Sequence, residues 1–158
     1  GGDAYGYSGW GDIFVFAFFG LLAVLGSSVL FIKHLDFYLI FPAITVGLLS
    51  VAVLNLNNMR DADQDREIGK RTLAVRMGFH TAKIYHNILV LGALLSALIF
   101  AFLKAKELWS WCFVLAFIPL GIHLIRVQKI SEPADFDAEL KKVALSTFLY
   151  ALLMALFF

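Results

Sequence analysis

Four stretches of this chain, residues 13–31, 37–56, 84–103 and 108–125, contain no Asp, Glu, Lys or Arg, and a fifth at 143–158 is equally uncharged but shorter. A helix needs about 20 apolar residues to cross the roughly 30 Å of hydrocarbon in a bilayer. Within lipid, only helices and closed barrels satisfy their own peptide groups. The windows therefore predict an all-α fold: a polytopic transmembrane bundle of five helices forming a single domain over 1–158. The last window is short for a span and predicts a helix that starts earlier, near Leu140. With 61% hydrophobic and only 16% charged residues and a mean hydropathy of +0.83, the chain has too little polar surface for a soluble domain. A soluble enzyme, a disordered tail and a nucleic-acid-binding domain are excluded as overall classes, and the expected surroundings are a lipid bilayer, with no nucleic acid. No basic segment with a small-residue cleavage site precedes the first window, so no signal peptide is expected. Cys112 lies inside an uncharged window as the chain's single cysteine, and is expected to serve as a small core hydrophobe.

Trp10, Tyr38, Tyr85, Trp109 and Trp111 fall at or near window ends, as interfacial aromatics do. Small residues four apart, Ala43 with Gly47, Gly92 with Ser96 and Ala93 with Ala97, predict close helix approach inside lipid. Pro42 and Pro119 sit inside windows and predict local kinks. The turns at 33–36 and 104–107 are short, whereas 57–83 and 126–142 read as long polar loops. These two loops hold ten of the thirteen Lys and Arg residues. The positive-inside rule puts them in the cytoplasm, in a multi-pass membrane protein.

Composition changes abruptly at the end of the second window, where the sequence from Asn55 reads NLNNMRDADQDREIGKRTLAVRMG. Eight of the chain's thirteen basic and twelve acidic residues occupy positions 60–71. Asp61, Asp63, Asp65 and Glu67 alternate with Arg60, Arg66, Lys70 and Arg71, so the net charge cancels while both signs are dense. If the helix continues into this segment, Asp61 and Asp65 stand at i and i+4 on one face. A pair of carboxylates suits Mg²⁺, a hard cation that shares its shell with substrate phosphate. Arg and Lys just behind suit the oxygens of a departing diphosphate. Gly69 lets the backbone turn so that Lys70 and Arg71 face the carboxylates. A charged run between membrane helices is commonly just a solvated loop. Against that reading, Asn55, Asn57 and Asn58 bring amides to the membrane edge, where polar clusters are functional candidates.

The run Asn57, Asn58, Arg60, Asp61, Asp65, Gly69, Lys70, Thr72, Leu73, Ala74 resembles the second aspartate-rich motif of the intramembrane aromatic prenyltransferases of the UbiA superfamily. It resembles the naphthoate-prenylating members more than the hydroxybenzoate or haem-farnesylating ones. The resemblance extends through Tyr7 to Asp12 and through Arg76 to Gly78, and corresponds to the C-terminal half of such an enzyme. It implies that Asp61 and Asp65 are catalytic and bind Mg²⁺ bridging to a polyprenyl diphosphate. It further implies that Arg60, Lys70, Arg66 and Arg71 contact the diphosphate, and that Asn57 or Asn58 assists. The implied reaction ionises an allylic diphosphate and joins the cation to 1,4-dihydroxy-2-naphthoate with loss of CO₂, giving demethylmenaquinone. Phe14, Phe16, Phe18 and Phe19 would line an isoprenoid tunnel or face lipid.

The family uses two facing aspartate-rich motifs, and the first is absent here, because Asp3, Asp12 and Asp36 lack its spacing. The chain is therefore expected to hold half of a metal site and to have little activity alone. Glu132, Asp135, Asp137 and Glu139, with Lys141 and Lys142, read as a solvated loop. His80, His86 and His123 read as interfacial or packed residues, since no zinc or haem ligand spacing is present. Two other readings stay open: a UbiA-type enzyme with a different ring acceptor, and a non-catalytic membrane subunit whose loop binds cations.

Overall fold

A computed structural model describes residues 9–158, so Asp3 and Tyr7 lie outside the described part. Five helices in it are long and apolar enough to cross a membrane. In chain order, α1 is Gly11–Ile32, α2 Phe37–Arg60, α5 Phe79–Lys104, α6 Leu108–Lys129 and α7 Pro133–Phe157. Two short helices, α3 at Ala62–Glu67 and α4 at Leu73–Met77, lie between α2 and α5. No strand occurs among the described residues.

The buried core runs along α2 and α5, with Leu49, Ala52, Leu56, Ala93 and Ala97 nearly or fully inaccessible. Here the small-residue pairs act as expected. Thr45 Oγ1 donates across the helix pair to the Ala93 carbonyl (3.2 Å), and Ser96 Oγ donates to the Phe41 carbonyl (2.9 Å). Gly47 also faces α1. A Cβ on Gly20 would stand 2.7 Å from both the Ala43 carbonyl oxygen and Gly47 Cα, so only glycine lets these backbones meet. Phe16 packs over Gly47 and is a helix-packing residue. The middle of α1, Phe16–Gly26, is wound as a π-helix, while its outer face exposes Phe18, Phe19 and Leu22.

Both prolines fall where 3₁₀ winding gives way to α-helix. Pro42 sits in the first turn after the 3₁₀ opening Phe37–Leu39. Pro119 sits in the first turn of Ile118–Lys129, where the 3₁₀ stretch Leu108–Phe117 gives way to α-helix. A first-turn N–H has no intrahelical acceptor, so proline costs little there.

The two loops expected to be long are largely helical. Helix α6 continues to Lys129 and α7 begins at Pro133, ten residues ahead of the 143–158 window. This corrects the reading of 126–142 as a polar loop; Glu132, Asp135 and Asp137 are exposed as expected, whereas Glu139 is not. Glu139 is buried, accepts from His123 Nδ1 at 2.6 Å and pairs with Lys142 Nζ at 2.6 Å. His86 and His123 are packed as expected, both 0% exposed, with their Nε2 atoms 2.7 Å apart. His80 is exposed. Lys83 is no loop cation either. It is buried in α5 and donates to the Gln128 carbonyl at 3.3 Å and also to the Ile130 carbonyl, capping the end of α6. At the opposite end, Lys104 pairs with Asp36 at 3.2 Å and lies over the Tyr38 ring. Cys112 is a free thiol, partly buried in α6.

Candidate active site at the loop end of the bundle

The last turns of α2 carry the polar residues, and helical order persists beyond them. The Asp61 N–H bonds the Asn57 carbonyl (3.0 Å), and the Asp65 N–H bonds the Asp61 carbonyl (2.8 Å). Asp61 and Asp65 thus remain one turn apart, although the axis breaks at Asp61, between α2 and α3.

Arg60 is the hub of this turn. Its Nε donates to Asp61 Oδ1 (2.8 Å), its Nη2 to Asn57 Oδ1 (2.7 Å) and Asp61 Oδ2 (3.1 Å), and its Nη1 to Asp137 Oδ1 of α7 (2.7 Å). Asn57 Nδ2 donates to Asp61 Oδ2 at 3.3 Å. The Arg60 hydrogen bonds hold the Asp61 carboxyl below its ordinary range; desolvation opposes them, and the charges of Arg60 and Lys70 add to them. Asp137, expected to be a loop residue, instead ties the site to α7.

Asp65 is buried. Lys70 Nζ lies 3.1 Å from its Oδ1, while its Oδ2 is buried with no hydrogen-bond partner. An orphaned buried carboxylate oxygen is costly unless something else satisfies it, and it fits the donor set that a hard cation takes. Gly69 adopts φ of +76°, and the turn it makes brings Lys70 back to Asp65 but leaves Arg71 exposed. Arg66 pairs with Asp63 at 2.9 Å on the open surface. No group of three or more His, Cys, Asp or Glu residues is arranged as a metal cage among the described residues. Asn55, grouped with Asn57 and Asn58 in the sequence, donates to the Ala82 carbonyl at 3.0 Å and joins α2 to α5.

A cavity of about 550 Å³ opens between α1, α2 and the α3–α4 segment; Asp61 and Asp65 do not line it but are bonded to Asn57 and Lys70, which do. Asn57, Asn58, Lys70 and Thr72 form its polar side, and Phe14, Phe18, Phe19 and Leu54 its apolar side. Thr72 also caps α4 by accepting from the Val75 N–H. A second, largely apolar hollow shares Val15, Phe19, Leu54 and Asn57 with the first and extends to Leu140, Ala144 and Thr147 of α7. Asp12 is the cavity residue that sequence reasoning missed. It was set aside for its spacing, yet it is buried at the start of α1, lines the cavity and accepts from the Tyr85 hydroxyl of α5 at 3.0 Å. The available signal was a single carboxylate directly preceding an uncharged span.

Fold and site together define a multi-pass helical membrane protein with a charged, carboxylate-bearing pocket at one end of the bundle, backed by aromatic apolar wall. Residues 4–153 match the UbiA prenyltransferase family, and the chain belongs to it. It is 43% identical to a 1,4-dihydroxy-2-naphthoate octaprenyltransferase of Haemophilus influenzae over 96% of this chain and 49% of the relative. The Escherichia coli protein of the same name is 42% identical over 99% of this chain and 51% of that protein. Human UbiA prenyltransferase domain-containing protein 1 is 32% identical over 80% of this chain and 36% of that protein. The chain spans about half the length of the bacterial relatives. No solved structure matches it.

Proposed function

We propose that this chain forms the C-terminal half of a membrane prenyltransferase that moves a polyprenyl group from its diphosphate to 1,4-dihydroxy-2-naphthoate, releasing diphosphate and CO₂ and yielding demethylmenaquinone. The observation that carries this reading is the cavity whose Asn57, Asn58 and Lys70 side meets a phenylalanine wall next to Asp61 and Asp65. A polar head and an apolar tail are what an isoprenoid diphosphate presents.

Asp61 and Asp65 are the residues that would hold Mg²⁺, and the partnerless Asp65 Oδ2 supports that role. When bound, such an ion neutralises charge building on the leaving diphosphate. Lys70 lines the cavity and supplies a cation there. Arg60 keeps Asp61 oriented and adds positive charge, while Arg66 and Arg71 on the exposed rim attract the incoming diphosphate. Asn57 and Asn58 offer amide donors to phosphate oxygens. The Phe14, Phe18 and Phe19 wall keeps water from the allylic cation, and its ring faces stabilise positive charge. A facing carboxylate pair from a complementary segment completes the site. The loop end faces the cytoplasm of a bacterial inner membrane, which the cluster of Arg and Lys at that end supports.

The test is prenyl transfer with Mg²⁺, octaprenyl diphosphate and dihydroxynaphthoate, measured on this chain alone and on a full-length protein carrying it. Transfer by the full-length protein, lost in Asp61→Ala and Asp65→Ala, is the expected result. Robust turnover by the chain alone would overturn the half-site reading. Unchanged diphosphate release in both variants would overturn the catalytic assignment, and consumption of a different aromatic acid would reassign the acceptor.

A further inference from the structure

Asp12 carries a cost that packing alone does not explain. It opens a helix that is otherwise apolar, and it is 6% exposed. A carboxyl at a helix start is normally satisfied by the free N–H groups there and by water. This one, besides its own backbone N–H, accepts from a tyrosine of a different helix, Tyr85, and lines the same cavity as Lys70, Asn57 and Asn58. Buried ionisable groups at membrane depth are expensive and are retained where they meet a ligand.

We propose that Asp12 is a specificity-determining residue that accepts a hydrogen bond from a ring hydroxyl of the aromatic acceptor, with Tyr85 fixing the carboxyl in position. The assignment rests on the prenyltransferase reading above and deepens it. The volume of about 550 Å³ falls within the roughly 300–1,000 Å³ usual for small-molecule pockets. Phe14 and Phe18, stacked with ring centroids 6.2 Å apart and planes inclined by 16°, both line the cavity and supply aromatic surface to it. Asp12 and Lys70 both line the cavity. A hydroxyl of the acceptor is drawn to the Asp12 carboxyl. A hydroxyl shared with a carboxyl also enriches the ring in electron density, which favours attack on an allylic cation, and no net proton transfer is required. Phenols lacking the correctly placed hydroxyl are rejected because they present no donor to the Asp12 carboxyl.

The experiment uses full-length protein carrying this chain, with acceptor and donor KM measured separately. Asp12→Ala raises acceptor KM roughly ten- to a hundredfold, as expected for losing a hydrogen bond to a charged group, and leaves donor KM within about twofold. The wild type discriminates against the acceptor's methyl ether at that hydroxyl, and the variant loses this discrimination. Tyr85→Phe, which keeps the ring, gives a smaller rise in acceptor KM only, and decides the matter if Asp12→Ala does not accumulate. Acceptor KM unchanged, or both KM values rising together, overturns the Asp12 assignment while leaving the transferase reading intact. A wild-type protein that prenylates no dihydroxyaromatic overturns both.

Discussion

His123 Nδ1 donates to Glu139 Oε2 across 2.6 Å inside the bundle, with both residues at most 5% exposed. A carboxylate only accepts, so Glu139 fixes the proton of His123 on Nδ1 and leaves its Nε2 as an acceptor. His86 Nε2, at 2.7 Å, fills that role as donor, and His86 Nδ1 is buried with no partner. The contact locks the two rings together between α5, α6 and α7. Glu139→Ala leaves His123 without an acceptor and Lys142 without its counter-charge, and costs about 3–5 kcal/mol. Glu139→Gln keeps an oxygen for His123 and costs about 1–2 kcal/mol. Thermal unfolding in detergent ranks the two.

Arg60 holds the Asp61 carboxyl below its ordinary range. A lowered folded-state value means that Asp61 contributes stability above the unfolded carboxylate value of about 4. That contribution is lost as pH falls through the depressed folded value. Arg60→Ala therefore destabilises at neutral pH by about 1 kcal/mol, the pair being partly solvated. The difference from wild type shrinks as pH drops below about 4, a trend read from urea midpoints across pH.

The approach of α1 to α2 depends on Gly20 and Gly47. Gly20→Ala drives a methyl group against backbone at 2.7 Å and costs about 1–3 kcal/mol through forced separation of the helices. Gly121→Ala is the matched control. Nothing lies within 4 Å of its added Cβ, and an interior helical alanine gains about 0.5–1 kcal/mol over glycine.

Under the proposed function, Asp65→Ala removes the buried oxygen available to a cation and frees Lys70. Full-length protein with this change loses prenyl transfer by about a hundredfold or more, whereas Asp63→Ala, on the exposed face with Arg66, stays within about twofold. Removing divalent cations with chelator abolishes wild-type transfer. Initial rates of diphosphate release test all three.

Hydropathy determined the number of spans and the helical class, because lipid leaves a short uncharged stretch no other way to satisfy its backbone. Charge density and the order of residues 57–74 located the polar turn and carried the resemblance to the family. Charge counting failed where tertiary contacts satisfy the charge. Glu139 and Lys83 read as solvent-facing on sequence, yet both are buried against partners on another helix, His123 and the carbonyls ending α6, while Asp137, exposed as expected, is tied to Arg60. Asp12 was illegible for the same reason, because its partner Tyr85 lies 73 positions away. Local composition thus determined which segments enter the membrane. The packing of α1 against α2 and α5 decided which polar groups share a cavity, because burial makes a charge depend on neighbours that no spacing rule along the chain can supply.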